Sequence, residues 1–479
     1  MSEPFIAPQS VLIIGSGVFG LSTALSLCER DEFSKSTITL VDKHEFPTPD
    51  GASIDTSRLI RADYADPDYA AFATEAQTHW RQSHADASRY YECGLVLTCV
   101  PSNVDYLHRS LANLQAMGHS DGLHILPTRA DILRLSGTPG TAGTAGYVNR
   151  RSGWADAEAS MAYLRRQVEA TGRVTFVVGT VARLSSTAAP FPQITGAHLR
   201  DGRQLTADLT ILAAGAWTNA LLRLGNRVRA TGQVMGYYAL SAAEAEALAK
   251  IPAQIDMSRG LFLIPPPPPP YATGVDEGYP NAHRVRHPHL KVARHGVGYM
   301  NWVARDAGLG GMEEWDETGT EGEGKVSVPV TDGHTVTLPA EADEALRGYI
   351  RELFPPNIPS PLPASLRDLP TRPFSHSRVC TYADTPDSSF LVSYHPRYGG
   401  SLFLATGGSG HAFKFLPVLG GKVVDVLVGR EERVGRLAEK WRWRWGKGNV
   451  LEDEWIEEGM RGGVKGLTWD EAVAQSAVI

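Results

Sequence analysis

Three glycines in SVLIIGSGVFGLS, Gly15, Gly17 and Gly20, stand in the spacing G-x-G-x-x-G, and Asp42 follows 22 positions after the last of them. Glycine is common enough for such a triplet to arise by chance. Here it comes directly after a continuous apolar run, opens an apolar-periodic helix and precedes a second strand, TITLVD, that ends in the acid. In that setting Gly15 permits a sharp turn, Gly17 lets backbone approach a pyrophosphate, and Gly20 lets helix pack close on strand. The helix start, with Ser16, Val18 and Phe19 in its loop, offers amides to phosphate oxygens. Asp42 is placed to accept from ribose hydroxyls, with Lys43 beside it. A carboxylate there disfavours a 2′-phosphate, which argues against NADP and leaves FAD and NAD open.

A second candidate is Cys380, in RVCTYADTP. The chain's 4 cysteines, Cys28, Cys93, Cys99 and Cys380, are too few among 479 residues for a disulfide framework. A single buried thiol is ordinarily a small hydrophobe, and that reading holds for Cys28, Cys93 and Cys99. Near Cys380 stands Arg378, a cation that would favour a thiolate. Arg58 and Arg61 in SRLIR, Lys291 and His295 in LKVARH, and His411 and Lys414 in GSGHAFKF complete the candidates. Taken singly, each is read as well as a solvated charge or a satisfied histidine.

The elements that must position these groups follow from pattern. SVLIIGSGVFGLSTALSLCER followed by TITLVD is a strand, helix, strand unit with parallel strands. RVTFVVGTVARL, LTADLTILAAGAWTNALL and SLFLATGGSGHAFKFLPVLGGKVVDVLVG revisit the same sheet, so the domains are expected to be discontinuous. The expected fold class is α/β: a Rossmann-like domain formed by residues 1–92, 147–231 and 384–479. It is interleaved with an α+β domain on a mainly antiparallel sheet, formed by residues 93–146 and 232–383. IPPPPPPYATG (264–274) is expected as an extended loop, because proline lacks the amide donor. GLGGMEEWDETGTEGEGK (308–325) is expected as an exposed insertion, and the tail with EKWRWRWGKG as a segment docked on its own protein through its indoles.

The net charge of -7 offers no general attraction to nucleic acid or an anionic membrane. No stretch reaches the roughly 20 apolar residues of a membrane span. The opening residues lack a basic leader, the cysteines are sparse and the last residues are AVI rather than SKL, so the expected compartment is the cytoplasm, with the peroxisome not excluded.

The fingerprint, ASIDTSRLIRADY (52–64), SRVCTYADTPDSSFLVSYHP and ATGGSGHAFKFLPVLG together resemble the monomeric sarcosine oxidase family of FAD enzymes. Its relatives include pipecolate, saccharopine and fructosyl amino acid oxidases. The resemblance implies FAD as cofactor, joined through its 8-methyl carbon to the sulfur of Cys380. It implies a carboxylate clamp of Arg61 and Lys414, with Tyr382 lining the substrate pocket. Arg58 would stand near the reactive side of the flavin, His295 beside the amine, and Lys291 where oxygen reacts. Further cofactor contacts would come from Ser57, Val181, Gly215, Trp217, Gly408, Gly410, His411 and Phe413. A pocket tyrosine of the sarcosine enzymes falls on Leu263 in GLFLIPPP, which bears on the substrate rather than the chemistry. The expected activity is oxidation of a secondary amino acid to an imine, with O2 reduced to H2O2, by a monomer with no metal and with neither nucleic acid nor membrane as partner. The alternatives are a fructosyl amino acid oxidase, a flavin dehydrogenase with another acceptor and a non-catalytic dinucleotide-binding protein.

Overall fold

A computed structural model describes residues 5–84, 89–188, 190–224, 227–269, 288–304, 325–330, 337–444, 461–464 and 467–476. Its first sheet has the strand order Leu391–Tyr394, Leu402–Thr406, Leu209–Leu212, Ser10–Ile14, Thr37–Asp42, Val174–Val178. All neighbours run parallel except Leu391–Tyr394 on Leu402–Thr406. A central parallel strand is covered on both faces and must be apolar throughout. Ser10–Ile14 meets that demand: Val11 and Ile13 face one core, shared with the helices Val18–Glu29 and Leu416–Leu427. Leu12 and Ile14 face another, shared with Leu184, Ala197 and Leu221.

The second sheet has the order Tyr299–Met300, Arg229–Ala239, His289–Arg294, Leu261–Ile264, Ala253–Asp256, Leu95–Cys99, Ala145–Asn149, Leu123–Leu126, with His376–Asp384 along Arg229–Ala239. Its pairs are antiparallel except Ala253–Asp256 on Leu95–Cys99. The fold is thus mixed α/β, a parallel sheet with helices beside a mainly antiparallel one. The expected boundaries at 146/147 and 231/232 fall inside Ala145–Asn149 and Arg229–Ala239, both strands of the second sheet.

Strand pairing brings distant residues together. Gln233 faces Cys380 and Tyr237 faces Lys291 in adjacent registers, so one long strand carries both neighbours. Arg58–Ile60 pairs with Gly153–Ala155 in a small third sheet and delivers the arginine motif.

The tail returns to the body. Trp441 is fully buried, donates from Nε1 to Tyr69 Oη at 3.0 Å and stacks on Phe390, while Trp443 meets His395 edge to face. The proline stretch is described only to residue 269, and the acidic insertion lies outside the described residues except Lys325, which opens the strand Lys325–Ser327. Among the described residues no helix is long and apolar enough to cross a membrane.

Candidate active site

A cavity of about 420 Å³ opens at the C-terminal ends of Ser10–Ile14 and Thr37–Asp42, the place where an open parallel sheet takes a ligand. Gly15, Ser16, Gly17, Val18 and Phe19 line it from the glycine loop. The third glycine is demanded by contact, since a Cβ on Gly20 would stand 1.8 Å from the carbonyl oxygen of Gly15. Ser16 donates its amide (2.7 Å) and its hydroxyl (2.6 Å) to Asp42 Oδ2, and the helix-start amide of Val18 donates to Ser53 Oγ at 2.9 Å. Asp42 therefore ties the loop to the second strand while lining the cavity. Lys43 pairs with Asp50 and lies 4.3 Å from the centre of the Trp217 ring.

Val181, Gly215 and Trp217 line the same cavity, as do Arg58 from the small third sheet and Tyr382 from the second. Gly408, Gly410, His411 and Phe413 line it from the glycine turn that follows Leu402–Thr406. Gly410 has φ +72°, and a Cβ there would meet Tyr382 Cε2 at 2.2 Å. Gly20, Ser57, Cys380, Lys291, His295, Arg61 and Lys414 lie outside this lining; Gly20 packs on the Gly15 carbonyl in the first helix, and the other six belong to two clusters.

The first cluster surrounds Asp55. Lys291 Nζ donates to Asp55 Oδ2 at 2.5 Å and to the carbonyl of Ser57 at 2.8 Å; Arg58 pairs with the same carboxylate, and Tyr237 Oη donates to Oδ1 at 2.5 Å. Lys291 is only 2% exposed, so it is not a solvated strand charge. Burial pushes its pKa down to about 8, with Asp55 pulling it up and Arg58 pressing it further down. Burial opposes ionisation of Asp55, but Arg58, Lys291 and Arg378 outweigh it and hold the carboxyl below its usual range.

Cys380 packs among Met235, Tyr237 and Ala293 at 1% exposure, with Tyr382 two residues on against the same cluster. Its charged neighbour is not the one expected. Arg58 Nη2 donates to Cys380 Sγ at 3.4 Å, whereas Arg378 spends its guanidinium on the carbonyls of Ile54, Gly51 and Pro49. The reason is reach: a long side chain crosses to the loop carbonyls, and the arginine of a facing element meets the sulfur. Leu263 also departs from expectation. It is buried in the second core with Val292, and the alternation of the strand turns its neighbour Phe262 toward Cys380 and Tyr382.

The second cluster surrounds Tyr64. Lys414 Nζ donates to Tyr64 Oη at 2.7 Å, and the Arg61 guanidinium lies 5.2 Å from the centre of that ring while bonding the carbonyl of Asp63. Asp63 is held by Tyr147 Oη (2.9 Å), Asn149 Nδ2 (3.0 Å) and Ser152 Oγ (2.9 Å), which pin the irregular loop after Arg58–Ile60. His411 Nε2 faces the carbonyl of Ser388 at 2.7 Å and must donate to it. Burial, then Lys414, keeps His411 far below its usual pKa and neutral, so its Nδ1 accepts from Tyr64 Oη at 2.9 Å. Burial, then the repulsion of Arg61, depresses Lys414 strongly as well. His295 is kept neutral by burial and by the cations Arg461, Arg61 and Lys414, and its ring lies 5.7 Å from Tyr382. Arg61, Tyr64, His295, His411 and Arg461 line a small cavity of about 60 Å³.

Sequence reasoning passed over Asp55, Asp63, Tyr64 and Arg461. The first three stood inside the quoted motif ASIDTSRLIRADY, and two arginines there called for a counter-charge. Arg461 carried no signal.

The model of the family described as FAD dependent oxidoreductase matches residues 10–426. The chain belongs to the FAD-dependent oxidoreductase family. It is 33% identical to the amino acid oxidase imqH of Aspergillus flavus, over 91% of this chain and 98% of that protein. With the L-saccharopine oxidase of Schizosaccharomyces pombe it shares 27% identity over 91% of this chain and 93% of the other. Its fold is similar to that of fructosamine oxidase (Amadoriase II) from Aspergillus fumigatus, with a TM-score of 0.74 at 25% identity, covering 96% of this chain and 95% of that one.

The residues of this FAD-dependent oxidoreductase fit the cofactor. Backbone without side chains stands where a pyrophosphate needs close approach, Asp42 lines the cavity where ribose hydroxyls would bind, and the cavity runs on to the glycine turn at Gly408 and Gly410.

Proposed function

We propose that this oxidoreductase oxidises secondary amino acids, N-methyl, N-alkyl or cyclic, turning the carbon–nitrogen bond into an imine and passing the electrons to O2 to give H2O2. The observation that carries the reading is the meeting of Arg61 and Lys414 at Tyr64. Both are buried, and the carboxylate that acts on both, Asp63, is hydrogen-bonded to Tyr147, Asn149 and Ser152 rather than paired with either among the described residues. Burying like charges together is costly unless an anion joins them. A substrate carboxylate meets that need, with a guanidinium fork gripping it and an ammonium adding a point charge.

Bound FAD supplies the two-electron chemistry of amine oxidation and oxygen reduction. The chain supplies position and charge. Arg61 and Lys414 hold the carboxylate, neutral His295 and His411 add no charge against an amine, and Tyr382 and Phe262 wall the space toward Cys380. Lys291, fixed by Asp55 and the Ser57 carbonyl, offers an ammonium to negative charge developing on oxygen. Cys380 is the proposed tether: its buried sulfur, with the Arg58 guanidinium beside it, would hold bound FAD covalently. The parallel sheet with its helices would form the flavin unit and the antiparallel sheet the substrate unit.

A second reading, oxidation of fructosyl amino acids, draws support from the likeness to fructosamine oxidase. Peroxide release measured over sarcosine, other N-methyl amino acids, L-pipecolate, L-proline, saccharopine and fructosyl amino acids separates the two. Release with the first group supports the proposal, and release with fructosyl amines alone transfers it to the second reading. Reduction of a dye without peroxide would mark a dehydrogenase and sink both.

A further inference from the structure

Arg461 lies beyond residue 426, where the family match ends, yet its side chain reaches the small cavity of the Tyr64 cluster. The backbone that delivers it is stitched in place. Gly462 forms a parallel bridge with Gly296, the Val297 amide donates to Gly462 O at 2.9 Å, and the Gly462 amide donates to His295 O at 3.1 Å. The fit is so close that a Cβ on Gly462 would stand 1.7 Å from the Arg259 carbonyl oxygen. The Arg461 side chain is 4% exposed and donates to both oxygens of fully buried Asp384, at 2.9 and 3.3 Å. It also donates to the carbonyls of Ser409 (3.2 Å) and Gly296 (3.1 Å), and its guanidinium lies 5.6 Å from the centre of the Tyr382 ring.

We propose that Arg461 is a specificity-determining residue: it forms a wall of the substrate pocket that admits amino acids with small substituents and refuses bulky ones. This rests on the reading of the pocket as the amino acid site. The size argument is direct. A cavity of about 60 Å³ holds only a few water-sized groups at roughly 10–15 Å³ each, so a large substituent turned toward Arg461 requires the wall to yield. The charge argument decides how Arg461 acts. Its guanidinium is committed to Asp384, whose other side-chain partner among the described residues is the Thr231 hydroxyl. Drawing Arg461 onto a substrate anion would strand a buried carboxylate. Arg461 therefore shapes the pocket and holds Tyr382 rather than receiving a second carboxylate.

The test compares kcat/KM for N-methylglycine, N-methylalanine, N-methylphenylalanine and N-methylaspartate in the parent protein, Arg461→Ala, Arg461→Lys and Gly462→Ala. The last displaces the backbone while keeping the arginine. The ratio of N-methylphenylalanine to N-methylglycine should rise at least tenfold in Arg461→Ala and Gly462→Ala, through a lower KM for the bulky amine, and stay near the parent value in Arg461→Lys. A ratio within twofold of the parent in both variants would overturn the proposal. So would a loss confined to N-methylaspartate, which would make Arg461 a carboxylate receptor. If Arg461→Ala fails to fold, the pair Arg461→Ala/Asp384→Asn removes the stranded carboxylate and carries the same test. If the parent oxidises neither these amines nor the cyclic and N-alkyl amino acids named above, the function reading fails while the wall is still decided: acetate and phenylacetate are titrated against the visible spectrum of the bound flavin. Phenylacetate must then gain at least tenfold over acetate in Gly462→Ala, and no gain removes the wall.

Discussion

Lys291 Nζ and Asp55 Oδ2 lie 2.5 Å apart, though 236 positions separate the residues in the chain. The pair governs the first expectation. With its pKa lowered to about 8, chiefly by burial, Lys291 carries its charge below that pH and loses it above. Oxygen uptake by the substrate-reduced enzyme should therefore be level at lower pH and fall as pH rises through about 8. Asp55→Asn removes the attraction that sustains the charge, so the fall should move to lower pH. Lys291→Met should slow uptake roughly 100-fold and abolish the step. A parent profile flat over roughly pH 6 to 10 would remove Lys291 from the oxygen reaction.

Cys380 and Arg58 make the second. Acid precipitation of the parent protein should leave the yellow colour in the pellet, whereas Cys380→Ala should release it to the supernatant. Colour in the supernatant of the parent counts against the tether.

Arg61 and Lys414 make the third. Arg61→Ala should cost about 2–3 kcal/mol of transition-state binding for carboxylated amines, seen as a fall in kcat/KM of roughly 30- to 150-fold, with little change for amines lacking a carboxylate. Lys414→Met should show the same selectivity. Equal losses for both substrate classes would disprove the clamp.

The fourth concerns the docked tail. Trp441 is fully buried against Phe390 and Phe72 and bonded to Tyr69. Trp441→Ala should destabilise the protein by about 3–5 kcal/mol, read from urea unfolding with the cofactor loaded equally in both proteins. A midpoint unchanged from the parent would mean that the indole adds nothing to the core.

Where a rule acts over a few neighbouring residues, the amino-acid sequence alone was enough. Gly20 has to be glycine because its helix crosses the Gly15 carbonyl within the same loop, and Ser10–Ile14 has to be apolar throughout because both its faces are covered. The alternation that sets Tyr382 on the side of Cys380 is equally local. Tertiary structure decided which charges meet. Arg378 is two residues from Cys380 and turns to loop carbonyls, while Arg58, 322 positions away, reaches the sulfur. Phe262 rather than Leu263 faces the cluster because a one-residue step reverses the side of a strand. Asp55 as counter-charge and Arg461 as wall follow from strand pairing and from a return of the chain across the fold. Such meetings depend on the packing of every element between the partners, and no local spacing encodes them.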